Sequence, residues 1–283
     1  MTSVAVEAKH SGRSVLRATW AFVKRHALAV YSLLFFVYLL LPIAIVIAFS
    51  FNHPSGKFNY VWQGFTLNNW RHWDAVPGIR SAIFLSLEIG VIASVIATAL
   101  GTLIALALVR YGFRGRGTTN ILVFLPLSTP EIVLGASLLT LFLNLTFVTF
   151  GFQTILIAHV MFCISFAVVT VKARLVGFDR HLEEAAMDLG ANEWTTFRKV
   201  TLPLIAPAIL ASLLLCFAIS IDDFVVTYFN AGNRVTFPLF VWGASRIGTP
   251  PQVNVIGTAI FVVALLLMLA NVLIQWRREE TTA

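Results

Sequence analysis

The chain has 283 residues, of which 58% are hydrophobic and 12% are charged, and its formal net charge is +7 at pH 7. A soluble domain is usually about one quarter charged, so this composition excludes an ordinary soluble protein and predicts one that lies in a bilayer. The basic residues fall in clusters between apolar runs, which is typical of membrane topology and argues against a nucleic-acid partner.

Six apolar runs are long enough to cross about 30 Å of bilayer hydrocarbon, which takes about 20 helical residues. They occupy residues 28–50, 82–109, 120–143, 153–171, 204–229 and 254–276. We therefore predict an all-α membrane protein with six transmembrane helices. The first run follows Lys24 and Arg25 but is too long for a signal peptide and lacks a small-residue cleavage site, so we interpret it as an uncleaved helix.

The basic residues also predict the orientation of these helices. A cytoplasmic N-terminus places 15 of the 20 Lys and Arg residues inside the cell, and the opposite orientation reverses that ratio. The prediction is therefore N-in and C-in, with 28–276 as the transmembrane domain and 277–283 as a cytoplasmic tail. Residues 1–27 alternate basic residues such as Arg13 with apolar ones such as Trp20, which predicts a cytoplasmic amphipathic tail at the membrane surface.

Four acidic residues lie within the apolar runs, where each costs about 2.5–3.5 kcal/mol at the centre of a membrane helix. They are Glu88, Glu131, Asp222 and Asp223. Glu131 falls near the middle of the third run and follows Pro126 and Pro130, which are expected to break the helix, so we expect its side chain to face a cavity. No Lys or Arg lies within the runs, which indicates a path that favours cations.

The other three carboxylates lie nearer the predicted outer surface. Asp222 and Asp223 are neighbours in the fifth run, so we expect only one of them to face a lumen well and the other to bond the backbone. Glu88 is expected to pair with Arg80 or to reach the surface. Tyr228, Phe229 and Trp242 could add cation–π contacts along the same path.

The longest inner connection, residues 172–203, predicts a helical hairpin. Its first helix runs from Glu183 to Leu189 with Met187 on an apolar face, and Gly190 supplies a turn or C-cap. A second short helix begins at Asn192, the expected N-cap, and ends before Pro203. Such a hairpin suits docking to a soluble partner and transmission of its movement.

The order of residues in this hairpin resembles the EAA loop of bacterial ABC-importer permeases. The shared pattern is Glu-Ala-Ala, three residues, Gly, nine residues, a branched aliphatic, one residue and Leu-Pro, with Val200 where isoleucine is commoner. The resemblance implies the type I permease architecture and a docking site for a separate ATPase subunit. The implied docking residues are Glu184, Ala185, Ala186, Gly190, Ala191, Phe197, Leu202 and Pro203.

The same resemblance implies the partners of the chain in a bacterial inner membrane. They are a second, homologous permease, two copies of a cytoplasmic ATPase and an extracytoplasmic solute-binding protein. The chain contains no G-x-x-x-x-G-K-[ST] sequence, so ATP and Mg are expected on the ATPase. We expect this chain to bind no cofactor or metal and to catalyse no reaction.

Four shorter segments are similar to the spermidine/putrescine permeases within that family, which implies import of polyamines. They are the segments 62–66, 125–126 with 130–133, 220–224 and 251–254. Permeases for iron, thiamine and other small solutes share fragments of them, so another solute stays open. A cation channel or secondary transporter would share the carboxylates but would not need the hairpin.

A membrane-embedded enzyme is the remaining alternative. It would need His, Asp, Ser or Cys side chains that face one another at membrane depth. His159 is the one clearly intramembrane histidine, and Ser165 is out of phase with it on a helix. We therefore expect His159 to be a packing residue. Cys163 and Cys216 lie in apolar runs and are also expected to pack rather than to form a disulfide.

Overall fold

The computed structural model describes the backbone of residues 3–56, 58–145 and 147–280, and the side chains of 26–56, 58–145, 147–266 and Leu269. The described backbone is helical almost throughout. The helices are α1 (Ser3–Ser50), α2 (Asn68–Arg71), α3 (Ile79–Arg110), α4 (Arg116–Ser128), α5 (Glu131–Asn144), α6 (Phe152–Val176), α7 (His181–Asp188), α8 (Glu193–Thr196), α9 (Leu202–Asp222), α10 (Val225–Asn230), α11 (Phe237–Ile247) and α12 (Pro251–Glu280). A π-helical turn, Phe197–Thr201, joins α8 to α9.

Within the described residues, 4 helical stretches are long and apolar enough to cross a membrane. They are His26–Ser50, Ile79–Arg110, Phe152–Val176 and Glu193–Asp222. The bent pair α4 and α5 adds a fifth if it counts as one span, and Pro251–Leu266 is a shorter apolar helix. The prediction of an all-α membrane fold is confirmed. Most side chains of the predicted tail 1–27, and those after Leu269, lie outside the described residues.

One of two compact units combines residues 1–75 and 248–283. In it α1 packs against α12, and the buried Asn52 organises the loop that follows α1. The Asn52 amide donates to Asn59 Oδ1 at 2.6 Å and to the Val61 carbonyl at 2.8 Å, and its Oδ1 accepts from the Gln63 N–H at 2.7 Å. A buried side-chain amide thus supplies the partners that regular secondary structure would otherwise give this backbone.

The second unit, residues 76–247, is built on α3, α6 and α9. Small buried residues recur every four positions along α3, including Ala93, Ala97, Gly101 and Ala105. A Cβ added at Gly101 would lie 2.5 Å from the Cβ of Ala167 on α6. This spacing is typical of membrane helices that pack through small side chains, because nothing larger lets the two backbones approach so closely.

The two cysteines lie in the core of the same unit. Both are fully buried and free, and each thiol faces the backbone carbonyl of the other residue. The distances are 3.6 Å from Cys163 Sγ to the Cys216 oxygen and 3.4 Å from Cys216 Sγ to the Cys163 oxygen. The structure therefore gives both cysteines a packing role between α6 and α9, as expected.

The third predicted span is broken, as the two prolines suggested. Helices α4 and α5 meet at an angle of 110°. Thr129 between them is extended, with ψ at 132°, because the ring of Pro130 disfavours helical backbone in the residue before it. Pro126 itself lies inside α4, so only Pro130 coincides with the break.

The fifth predicted span is also broken, so the prediction of a continuous helix over 204–229 was wrong. Helix α9 ends at Asp222, Asp223 is extended with ψ at 120°, and α10 begins at Val225. The Asp223 carboxylate accepts hydrogen bonds from the backbone N–H of Thr227 at 2.8 Å and of Val226 at 3.4 Å. A short side chain that caps the next helix competes with continuation of the first one.

Candidate functional site

The two helix breaks lie beside one cavity in the second unit. Its volume is about 470 Å³. It is lined by Pro126, Leu127, Thr129, Glu131, Leu134, Phe162, Phe166, Ile219, Asp222, Asp223, Phe224, Val225 and Val226. Where a membrane helix is broken, backbone N–H and C=O groups become free to face a cavity, whereas an unbroken helix uses these groups in its own hydrogen bonds.

Three of the four predicted carboxylates belong to this cavity. Glu131 is the first residue of α5, at a helix N-terminus that favours negative charge, and its side chain is exposed. Asp222 and Asp223 both line the cavity, but only Asp222 is exposed, and Asp223 bonds the backbone as expected for one of the pair. Both line it because α9 ends at Asp222, after which the chain no longer follows the helical repeat.

Asp223 differs from the other two because its carboxylate is already engaged. The side chain is 7% exposed, and its Oδ2 accepts from the Thr227 hydroxyl at 2.7 Å as well as from the Thr227 N–H. His159 Nε2 lies 3.3 Å from the same oxygen. Glu131 and Asp222 are thus exposed at the cavity, whereas Asp223 stabilises the second helix break.

His159 is the centre of a buried hydrogen-bond network that connects α6, α9 and α10. Its Nδ1 lies 2.6 Å from Ser220 Oγ, and its Nε2 lies 2.8 Å from Thr227 Oγ1. The sequence did not predict that Ser220, His159 and Asp223 meet. The Ser220 residue is only 4% exposed and both imidazole nitrogens are occupied, so the network fastens three helices and leaves no accessible nucleophile.

The predicted aromatic residues Tyr228, Phe229 and Trp242 do not line the cavity but pack against residues near it. The Phe224 ring, which lines the cavity, is 5.7 Å from Tyr228 and 5.2 Å from Trp242 between ring centroids. The Arg246 guanidinium lies over Trp242 at 4.4 Å, so this chain supplies one cation to that ring itself. Phe229 packs close to Gly135 on α5, where a Cβ would lie 2.8 Å from its ring.

Glu88 does not line the cavity. It is exposed on α3, and Arg80, its expected partner, instead lies over the Phe84 ring at 5.7 Å. Among the described side chains no ion pair joins Arg80 to Glu88. The two residues are eight positions apart on α3, about 12 Å along the helix axis, whereas Phe84 is only one turn from Arg80.

The hairpin between α6 and α9 has the turn that the sequence predicted. Gly190 adopts the left-handed conformation, with φ at +89°. Its N–H donates to the Met187 carbonyl at 2.9 Å, and the Ala191 N–H donates to the Ala186 carbonyl at 3.1 Å. These two bonds make a Schellman C-cap. Asn192 is the N-cap of α8, since its Oδ1 accepts from the Thr195 N–H at 2.8 Å.

The second helix of the hairpin, α8, ends before Pro203, which lies in the first turn of α9 as predicted, but no break separates the two helices. Helix α8 continues through the π-helical turn into α9, so Glu193–Asp222 is one helical stretch. The widened turn directly precedes Pro203, whose missing N–H and bulky ring commonly disturb a regular helix. Leu202 is half-buried and Pro203 is exposed.

The hairpin presents an exposed apolar surface with the motif residues beside it. Glu184 has a side chain that is 61% exposed and lies 3.1 Å from His181, three residues before it. Ala185 and Gly190 are also exposed, whereas Ala186, Ala191 and Phe197 are half-buried. The large exposed apolar residues are Leu182, Met187, Leu189 and Trp194. Exposed apolar residues of this size mark a surface suited to a protein partner.

Sequence reasoning missed Glu183, although it precedes the motif glutamate. Its carboxylate is 2.5 and 2.6 Å from the two terminal nitrogens of Arg110, at the end of α3. The partner lies 73 residues away in the sequence, so no local spacing could reveal the pair. The available signal was an arginine directly after an apolar span and a second acidic residue on the facing loop.

Comparison with known proteins places these features in a family. Residues 97–278 match the family model described as "Binding-protein-dependent transport system inner membrane component". The chain is similar to the spermidine/putrescine transport system permease protein PotC of Escherichia coli (strain K12), with 40% identity over 247 residues, 87% of this chain and 92% of PotC. It is 37% identical over 253 residues to the putrescine transport system permease protein PotI of the same organism, which is 87% of each chain.

The fold is also found among solved structures. A chain of a bacterial ABC transporter involved in the import of the acidic polysaccharide alginate superposes with a TM-score of 0.65. The match covers 90% of this chain and 98% of that chain, with 16% identical residues. At that identity the likeness concerns the fold alone.

Proposed function

The chain belongs to the family of binding-protein-dependent transport system inner membrane components, and we propose that it is the permease subunit of an ATP-driven importer of spermidine and putrescine. The observation that carries the proposal is the 40% identity with PotC along 87% of the chain. Two accessible carboxylates at the cavity support the same solute class, because they suit a solute that carries several ammonium groups.

The proposal includes six transmembrane helices in the type I permease arrangement, with both termini in the cytoplasm. The spans are α1, α3, the pair α4 and α5, α6, α9 and α12, with α9 followed by the short α10. The ratio of 15 inside to 5 outside among the 20 basic residues supports this orientation. The chain is then a multi-pass protein of the bacterial inner membrane, with its tails 1–27 and 277–283 on the cytoplasmic face.

The hairpin is the proposed docking site for the ATPase. Its apolar residues, Leu182, Met187, Leu189 and Trp194, stay exposed in the isolated chain and would be covered by a partner. The complex contains a second permease, two copies of the ATPase that bind ATP and Mg, and an extracytoplasmic binding protein. ATP binding draws the two permeases' hairpins together and opens the path outward, and hydrolysis returns it inward.

The cavity is the proposed solute site, with Glu131 and Asp222 as the carboxylates that contact ammonium groups. Asp223 supports the site by fixing the start of α10, and Tyr228 and Trp242 contact Phe224, which lines the cavity. Glu88 remains a candidate only for a contact outside this cavity. A charged hydrogen bond contributes about 1.5–3 kcal/mol, so the loss of one carboxylate raises KM about 10- to 100-fold.

Uptake of labelled spermidine and putrescine tests the proposal. Cells that lack this chain are compared with cells given the intact chain, the Glu131→Gln variant or the Glu88→Gln variant. We expect the intact chain to restore uptake, Glu131→Gln to raise KM and Glu88→Gln, the same chemical change outside the cavity, to leave KM within about twofold. Co-purification of an ATPase without polyamine uptake would keep the importer and reject the solute, leaving iron, thiamine or another small solute. Uptake without any ATPase would favour a channel or secondary transporter.

A further inference from the structure

Glu183 is the most strongly held side chain of the hairpin's first helix. Its side chain is 16% exposed, and the side chain of Arg110 is 11% exposed. Both guanidinium terminal nitrogens donate to the two carboxylate oxygens, at 2.6 and 2.5 Å. The Thr201 hydroxyl donates to Glu183 Oε1 as well. A bidentate, largely desolvated pair of this kind fixes direction as well as distance.

The three residues join parts of the chain that are otherwise separate. Arg110 is the last residue of α3, Glu183 lies on α7, and the buried Thr201 lies in the π-helical turn before α9. The Arg110 guanidinium also lies over the ring of Phe178, in the link between α6 and α7, at 5.2 Å. We name Arg110, Glu183 and Thr201 the hairpin clamp.

The other polar side chains of α7 give it no comparable anchor. Helix α7 contains no buried residue, and the ion pair of Glu184 is with His181 on its own helix, which is 86% exposed. On its other side the hairpin continues without interruption from α8 into α9. The hairpin is joined to α6 and α9 through the chain itself, and the clamp is its direct side-chain link to α3.

Helix α3 leads from the clamp to the cavity. Its buried face packs on α6 and α9 along the small residues already described. Ala97 of that face belongs to the same core cluster as Leu134 and Phe162, and both of those residues line the cavity. A displacement at Arg110 can thus reach the cavity wall through continuously packed side chains.

We propose that the hairpin clamp transmits the movement of the ATPase-docked hairpin to α3, which makes Glu183 a positioning residue for coupled transport. The inference rests on the proposed function, in which the hairpin docks on the ATPase. The carboxylate does not have to touch the ATPase or the solute for this role. Its loss should uncouple ATP hydrolysis from transport while the ATPase stays bound.

The first experiment uses the whole complex in proteoliposomes. In Glu183→Gln we expect the ATPase to co-purify and to hydrolyse ATP, while polyamine moved per ATP falls about tenfold. The single reversals Arg110→Glu and Glu183→Arg should show the same loss, and the double reversal should recover most of it, because the pair is re-formed with opposite polarity. Normal coupling in Glu183→Gln would overturn the proposal, as would loss of the ATPase from that variant.

A second measurement does not depend on which solute the importer carries. Cys163 and Cys216 are fully buried, so Thr129→Cys would place a single accessible thiol at the cavity. We expect a non-hydrolysable ATP analogue to change the labelling rate of that thiol by a water-soluble maleimide, and Glu183→Gln to abolish the change. An equal nucleotide response in both backgrounds would refute the clamp. Absence of polyamine uptake by the intact complex with a normal thiol response would refute the solute assignment alone.

Discussion

Replacement of Gly190 tests whether the geometry of the hairpin turn, or the space around it, limits coupling. Gly190 has φ at +89°, and a Cβ added there would meet no atom within 4 Å. In Gly190→Ala the cost is therefore backbone strain alone, about 1–2 kcal/mol for an L-residue in the left-handed region. That energy lowers the equilibrium constant for forming the native turn by about 5- to 30-fold, which is the upper limit of the decrease in its population.

Asparagine provides the matched control, because it tolerates the left-handed conformation better than other residues that carry a side chain. If only chains with the native turn dock, the apparent affinity for the ATPase falls by the same factor as the turn population. We expect at most about a 30-fold loss of ATPase affinity in Gly190→Ala and a clearly smaller loss in Gly190→Asn.

The assay is binding of the purified ATPase to membranes that contain each variant, followed by uptake at saturating ATPase. Since saturation compensates for weaker binding, uptake by Gly190→Ala should then approach the level of the intact chain. Equal and complete loss in both variants would refute the backbone argument, and it would show that the partner itself needs the space above Gly190. No loss in Gly190→Ala would show that backbone strain at this turn does not limit docking.

Two further predictions follow from the neighbouring aspartates and from the packing of α3. Asp222→Asn should raise the KM for polyamine with little change in thermal stability. Asp223→Asn should lower the thermal stability of the detergent-solubilised protein, because a carboxylate that accepts three hydrogen bonds becomes an amide. A raised KM only in Asp223→Asn, with a loss of stability only in Asp222→Asn, would contradict these roles. Gly101→Ala should destabilise the protein by about 1–3 kcal/mol, since the new methyl group would overlap Ala167. Gly257→Ala is the control, because its Cβ would make only an ordinary contact at 3.6 Å, and equal thermal stability of the two variants would show that the α3–α6 contact adjusts without strain.

Sequence reasoning succeeded where the determinant is local. The break before Glu131 follows from the effect of Pro130 on the preceding residue. The cap at Gly190 and the helix start at Asn192 follow from the residues those positions require. Each of these predictions involves residues that are a few positions apart, so a single sequence contains the information.

Features that depend on contacts between distant residues were not predicted from the sequence. The second break occurs at Asp223, where no proline or glycine marks it, and its carboxylate also contacts His159, far away in the chain. Glu183 precedes the motif residue Glu184, but its ion pair with Arg110 can be recognised only in the folded chain. The continuous helix from α8 to α9 likewise depends on a π-helical turn that helix propensity does not describe.

The cavity wall has a simple arrangement along the chain. Every residue that lines the cavity falls between Pro126 and Val226, within the second unit. His159, which fixes the second break, lies inside the same interval. One uninterrupted segment of the chain therefore contains both the charged residues of the cavity and the side chains that fix its second helix break. A chimera that exchanges this segment between two permeases would carry the cavity with it and leave α1 and α12 with their original chain.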